Sequence, residues 1–343
     1  MQTDSTATRA HPIRRLLRWA LVGLAVLVAT TVAAGVWLWN DPARAYRLAM
    51  VAGHANAGVV ERFVEIDGHR WRVLDTDPPE GAAREPAVSA DGPANTVLVL
   101  HGLGTSAEAM MGVAQILRDR ARVVVPDLPG FGEHAMHGDM PHDWRFYVDS
   151  IERFRANEGL GTVDVVGTSM GGAFAAAYAA TYPESVRRVV LLSPAGVKAP
   201  VENPFMKRVA AGEIPLDIND DASFEEVLRL NFPSPPPMPA PIRAAFVERA
   251  IERRDALLEI IEDLRPFLID GCSELMPRVK APTLVLYGSL DQLTDPSMLS
   301  MWRLGLPNME GEVLEGAGHV LLYDKPAEVA KKMRAHLARD AAP

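Results

Sequence analysis

One cysteine, Cys272, is all that the 343 residues contain, so neither an internal disulfide nor a zinc site built on thiolates is available. A basic excess is missing as well, since 35 Lys and Arg stand against 44 Asp and Glu for a net charge of −9. Binding along a phosphate backbone needs a basic face, which excludes nucleic acid as the main partner. The chain has no internal repeat and no His-Glu-x-x-His pattern. The densest group of potential ligands is Glu133, His134, His137, Asp139, His142 and Asp143, and its spacing fits no such metal site, so no metal is expected. With 48% apolar and 23% charged residues, the composition is that of a globular protein long enough for one large domain or two small ones.

Charge is also absent locally. From Trp19 to Trp39 the run WALVGLAVLVATTVAAGVWLW carries none, and as a helix it would span about 30 Å, the hydrocarbon thickness of a bilayer. Trp19 at one end and Trp37 and Trp39 at the other stand where interfacial aromatics are expected. Arg9, Arg14, Arg15 and Arg18 precede the run, so the positive-inside rule puts residues 1–18 in the cytoplasm and the rest of the chain across the membrane. A cleaved signal peptide is the rival reading, with Val32-Ala33-Ala34 as its small-residue site. Signal-peptide apolar regions run to about 7–15 residues, and the greater length here favours a retained anchor. An anchor helix could also self-associate into a homodimer, although no small-xxx-small face marks it. Residues 40–59 then read as a juxtamembrane linker or helix.

Beyond this point the pattern is strand and helix. Phe63–Ile66 and Arg70–Leu74 flank Asp67-Gly68, a hairpin signal, and residues 77–95 read as an exposed loop. The short β-rich runs TVLVL (96–100), VVV (123–125), VDVV (163–166), VVLL (189–192) and TLVLY (283–287) follow, the earlier ones separated by helical stretches. A last strand–helix pair starts from Glu312. Near-continuous apolar strands alternating with helices predict a mostly parallel sheet covered on both faces. The alternation pauses over residues 197–276, where six prolines crowd positions 233–241 and forbid a regular helix or central strand, so a helical insertion is expected there.

The chemistry concentrates at strand ends. Gly167-Thr168-Ser169-Met170-Gly171 lies between a strand and an Ala-rich helix, the context in which Gly-x-Ser-x-Gly forms a tight turn presenting a nucleophilic serine. A serine needs a base, and the base needs an orienting acid. His319, in Gly316-Ala317-Gly318-His319, suits the base, and Asp291, just past TLVLY, suits the acid, with Asp295 as its rival. Oxyanion donors are expected from the N–H groups of Met170 and of Leu103 in His101-Gly102-Leu103-Gly104, where His101 shapes the loop.

These motifs resemble the α/β-hydrolase superfamily over roughly residues 60–340, with Pro126-Asp127-Leu128-Pro129-Gly130-Phe131-Gly132 and Ser193-Pro194-Ala195-Gly196 also in keeping. More narrowly, the anchor, Gly-Thr-Ser-Met-Gly-Gly and the Pro-Pro-Met-Pro-Ala-Pro stretch resemble membrane-bound monoacylglycerol and lysophospholipid lipases, some bacterial with a periplasmic catalytic domain. The resemblance implies a hydrolase core at 60–196 and 277–343, a cap at 197–276, and catalysis by Ser169, Asp291 and His319 without a cofactor. It implies a bacterial single-pass membrane protein acting on a lipid ester, with Phe205, Met206, Phe232, Met238, Phe246 and Phe267 as candidates to hold the acyl chain. The same residues also suit an esterase, lactonase or carbon–carbon hydrolase acting on a small soluble substrate, or a ligand receptor with negligible turnover.

Overall fold

The computed structural model describes residues 19–77, apart from 21, 22, 25, 27, 32–34, 36 and 38, together with 95–132 and 141–339. Residues 1–18, most of the loop expected at 77–95, and the candidate ligands Glu133, His134, His137 and Asp139 lie outside these. Among the described residues no group of His, Cys, Asp and Glu could hold a metal ion. No helix there is long and apolar enough to cross a membrane. The described residues of the 19–39 run are helical, with Trp19, Leu24, Trp37 and Trp39 more than half exposed.

The chain divides into two compact units. The smaller holds the described residues up to Ala49 and Met238–Phe246; within it Tyr46 meets Phe246 edge to face at 5.2 Å, and Arg44 lies 3.8 Å over the Trp37 ring. Helix α1 (Pro42–Ala57) begins in it and ends in the larger unit.

The larger unit is built on one sheet. β1 (Val60–Ile66) and β2 (His69–Asp75) form the expected hairpin, pairing Ile66 with His69. Asp67 and Gly68 both take positive φ, 52° and 77°, as a two-residue turn matched to strand twist requires. The strands β3 (Thr96–Leu100), β4 (Arg122–Pro126), β5 (Val163–Thr168), β6 (Val186–Leu192), β7 (Thr283–Gly288) and β8 (Met309–Leu314) complete it in the order β1-β2-β4-β3-β5-β6-β7-β8. Pairing is antiparallel at β1–β2 and β2–β4 and parallel elsewhere. Parallel strands need crossover helices, supplied by α2 (Met111–Leu117), α3 (Trp144–Asn157) and α4 (Met170–Thr181). Asp143 starts α3 by accepting from the Phe146 N–H at 2.8 Å. Eleven of the twelve residues of α4 are buried, so a helix apolar on every side packs inside the molecule.

Between β6 and β7 lie α5 (Pro204–Ala210), α6 (Asp221–Asn231), α7 (Ala240–Glu252) and α8 (Arg254–Asp270). The proline run does not exclude helix throughout. Pro241 sits in the first turn of α7, where an amide N–H would have no intrahelical partner, so its loss costs little. Then α9 (Met298–Gly305), α10 (Leu321–Asp324) and α11 (Pro326–Leu337) close the chain.

Candidate active site

The ends of β5, β7 and β8 carry the candidate residues. Ser169 directly follows β5 and caps α4 with φ 53° and ψ −119°, a conformation that non-glycine residues seldom adopt. The backbone around it is packed so closely that side chains are excluded. A Cβ on Gly167 would stand 2.1 Å from the Gly171 carbonyl oxygen, and one on Gly171 would stand 2.3 Å from that of Leu100. The glycines flanking the serine therefore follow from contact as well as from turn geometry.

Asp291 follows β7 and His319 follows β8, both buried. His319 Nδ1 lies 2.9 Å from Asp291 Oδ2. Asp291 also accepts from the N–H groups of Leu293 and Thr294, both at 2.9 Å, and from Thr294 Oγ1 at 2.8 Å. Its rival Asp295 instead accepts from the Ser297 N–H just ahead of α9. The imidazole is thus oriented by a carboxylate whose own geometry is fixed by three donors from one short turn.

Thr294 was not singled out in the sequence. Its hydroxyl touches Asp291, His319 Nδ1 at 3.2 Å and the Ser193 carbonyl at 3.2 Å, and it lines the same cavity as Ser169. The signal was available in retrospect, because Thr three residues after an Asp can return a hydrogen bond to that carboxylate. The helices inserted between β6 and β7 also reach these loops directly. The Asn231 carbonyl at the end of α6 accepts the His319 N–H at 3.1 Å, and the Arg229 carbonyl accepts from Gln292 Nε2 at 3.1 Å.

The turn after β3 lies over the serine, with Gly102 facing Ser169 and Thr168. His101 is fully buried and shapes this turn: Nδ1 donates to the Gly102 carbonyl at 2.9 Å and Nε2 accepts from the Leu128 N–H at 3.0 Å. Burial pushes the His101 pKa down, which keeps the ring neutral and able to play both parts. Beneath it, Asp127 accepts from the Ala107 N–H at 2.7 Å and from Arg72 at 3.1 Å, and Arg72 also bonds Glu108. Burial alone would raise the Glu108 pKa, but the Arg72 guanidinium and the Ser106 hydroxyl hold it down at about 2. Met170 is the first residue of α4, so its N–H belongs to the helix-start donors without an intrahelical acceptor.

Leu103, Ser169, Met170 and Thr294 open on a cavity of about 120 Å³. Of the six residues proposed for an acyl chain, Phe205 and Met206 line it, held at the start of α5 by Asn203, which caps the Met206 N–H at 2.8 Å. The others lie elsewhere. Phe267 is core, stacked on Trp144 and Phe174 with ring centroids 5.5 and 5.7 Å away, and Phe232 meets Tyr323 edge to face at 5.2 Å. Met238 and Phe246 belong to the smaller unit. Val209, Ile214 and Leu216 line the cavity in their place.

Comparison with known proteins agrees with this architecture. The alpha/beta hydrolase family matches residues 97–332, more than half of the chain, and the protein belongs to that family. The chain is similar to Lipase 1 of Psychrobacter immobilis, 27% identical over 70% of this chain and 75% of that one. It is also similar to the monoacylglycerol lipase ABHD6 of Mus musculus, 28% identical over 69% of this chain and 73% of that one. Among solved structures, a membrane phospholipase A described as a bacterial virulence factor superposes with a TM-score of 0.79 at 30% identity, covering 93% of this chain and 98% of that one. Within its family, the protein is an ester hydrolase.

Proposed function

We propose that the protein hydrolyses the carboxylic ester of a single-chain lipid, a monoacylglycerol or a lysophospholipid, through an acyl-enzyme on Ser169. The apolar cavity opening on Ser169 carries this reading, because an acyl chain needs such a space and a small polar ester does not. The lipases and the phospholipase among its relatives support it. His319 takes the proton as Ser169 Oγ attacks the carbonyl carbon, and Asp291 holds the imidazole in the tautomer that can accept it. The N–H groups of Leu103 and Met170 receive the negative charge of the tetrahedral oxygen, each worth about 100–1000-fold in rate. His319 then returns the proton to the leaving alcohol, and water repeats the sequence to free the acid, so no cofactor is consumed. Residues 19–39 would hold the enzyme in the inner membrane beside its substrate, with the catalytic domain on the periplasmic side.

The test is fatty-acid release by the detergent-solubilised full-length chain from monoacylglycerols and lysophospholipids of several chain lengths, with short soluble esters alongside. The lipids should be preferred. Turnover confined to short esters would remove the lipid substrate and leave the ester chemistry.

Two further outcomes follow from the geometry. Met206→Trp fills part of the cavity, so long acyl chains should lose roughly tenfold or more in kcat/KM while the shortest ester is spared. An equal loss at every length would place the acyl chain elsewhere. Thr294→Val removes the hydroxyl from Asp291 and should lower kcat about tenfold at unchanged KM, with Thr294→Ser restoring most of it. A Ser variant as slow as Val would mean that Thr294 acts through packing alone.

A further inference from the structure

We infer that Thr105 is a positioning residue for the oxyanion hole: its hydroxyl, bonded to the Gly102 carbonyl, aims and polarises the peptide whose N–H belongs to Leu103. The inference rests on the acyl-enzyme reading above, in which the Leu103 and Met170 N–H groups receive the charge of the tetrahedral oxygen, and not on the choice of lipid.

A peptide unit is planar and trans, so its C=O and N–H point in opposite directions, and whatever fixes the oxygen fixes the hydrogen. The Leu103 N–H shares its unit with the Gly102 carbonyl, and the Met170 N–H shares its unit with the Ser169 carbonyl. Both carbonyls hold three donors. The Gly102 oxygen accepts from Thr105 Oγ1 at 2.8 Å, from His101 Nδ1 at 2.9 Å and from the Thr105 N–H at 3.3 Å. The Ser169 oxygen accepts from the N–H of Gly172 at 3.0 Å and from those of Ala173 and Ala195 at 3.1 Å. Among the described residues, neither the Leu103 nor the Met170 N–H meets an acceptor of its own. Two open N–H groups therefore stand at the turns around Ser169, each backed by an oxygen crowded with donors.

Such loading has two effects. It stops the peptide plane from rotating, so the direction of the N–H is set before substrate arrives, as preorganised stabilisation of an oxyanion requires. It also draws electron density toward the carbonyl oxygen, which strengthens the N–H of the same unit as a donor by roughly 10–30% per bond.

The two turns differ in where their donors come from. Ser169 is held by the backbone of α4 and of the turn after β6, whatever side chains those carry. Gly102 depends on side chains for two of its three bonds. His101 is locked by burial and by the Leu128 N–H on Nε2, which leaves its proton on Nδ1. Thr105 is exposed, so its side chain is not needed to fill space. Its hydroxyl nevertheless turns inward. His101 Nδ1, 3.5 Å away, already carries a proton, and the Gly102 oxygen is the acceptor left to Thr105 within the turn. That bond serves the donor on Leu103 more than it serves the fold.

The experiment uses the full-length chain with p-nitrophenyl butyrate, a short soluble ester, and two inhibitors of matching length: an alkyl trifluoromethyl ketone and the secondary alcohol obtained by reducing it. Ser169 Oγ adds to the ketone carbon while His319 takes its proton, so the adduct places an oxyanion in the hole. The alcohol has no carbonyl and occupies the cavity alone. Thr105→Val should lower kcat about fivefold at unchanged KM and weaken the ketone by the same factor, leaving the alcohol unaffected. Its thermal midpoint should stay within about 2 °C of the parent. Thr105→Ser should restore most of both losses. Unchanged kcat and ketone affinity in Thr105→Val would overturn the inference. So would a loss confined to KM, an alcohol weakened as much as the ketone, or a Ser variant as poor as Val, each of which assigns Thr105 to packing. Ser169→Ala separates the two levels, since it should bind the ketone no better than the alcohol. A ketone held as tightly without the serine would sink the acyl-enzyme reading and the positioning role with it. An indifferent Thr105→Val beside intact dependence on Ser169 would sink the positioning role alone.

Discussion

Ser169→Ala is expected to reduce ester hydrolysis by about a millionfold, the scale on which loss of a triad nucleophile removes the acyl-enzyme route altogether. The residual rate should still exceed the uncatalysed one by about 1000–10,000-fold, because the oxyanion donors and the bound geometry survive. Folding should not suffer. The serine side chain makes no capping hydrogen bond to α4, and the close contacts that shape the turn belong to Gly167 and Gly171. Thermal midpoint should therefore stay within about 2 °C of the parent. An inactive variant that melts much lower would have lost its fold, whereas an active one would place the nucleophile elsewhere.

Asp291→Asn should lower kcat about 10,000-fold at neutral pH with little change in KM. The amide keeps one oxygen, which can still accept from the Leu293 and Thr294 N–H groups, so the turn survives. What changes is the atom facing His319. An amide NH₂ in place of Oδ2, 2.9 Å from Nδ1, donates where the carboxylate accepts, and the imidazole must carry its proton on Nε2. In that tautomer it cannot take the serine proton. A fall of less than tenfold would show that the Asp291–His319 contact is structural, and the comparison with Asp295→Asn, expected to be near wild type in activity, controls for charge alone.

The residues that could be read in advance are those whose surroundings are local. Gly167-Thr168-Ser169-Met170-Gly171 is legible because Gly171, within the same turn, leaves no room for a side chain on Gly167, although Gly171 itself is hemmed in by Leu100 and His101 at the end of β3, and TVLVL or TLVLY specifies a buried parallel strand by composition alone. The hairpin at Asp67-Gly68 is likewise fixed within a few residues. The helices inserted between β6 and β7 behave differently. Phe267 and Met206 are both large and apolar, yet one stacks into the core and the other lines the cavity, because the choice depends on which side of a helix faces the sheet. Residue type could not separate them, whereas spacing along α8 distinguishes the stripe of Ile260, Leu264 and Phe267 from that of Ile261, Arg265 and Leu268. Asn231 was missed because its partner, His319, comes from a distant strand end, whereas Thr294 bonds Asp291 only three residues away and was open to a local reading.

The most direct test of the central claim is to label the protein with an alkyl fluorophosphonate and locate the adduct by peptide mass spectrometry. Attack by an activated serine forms an Oγ–P bond and expels fluoride, so labelling reports nucleophile and base together. The account predicts one adduct, on the peptide containing Ser169, formed at a rate that collapses in the Asp291→Asn variant and is slowed by competing lysolipid. Labelling of another residue, or an unlabelled Ser169 in a preparation that still turns over ester, would contradict it.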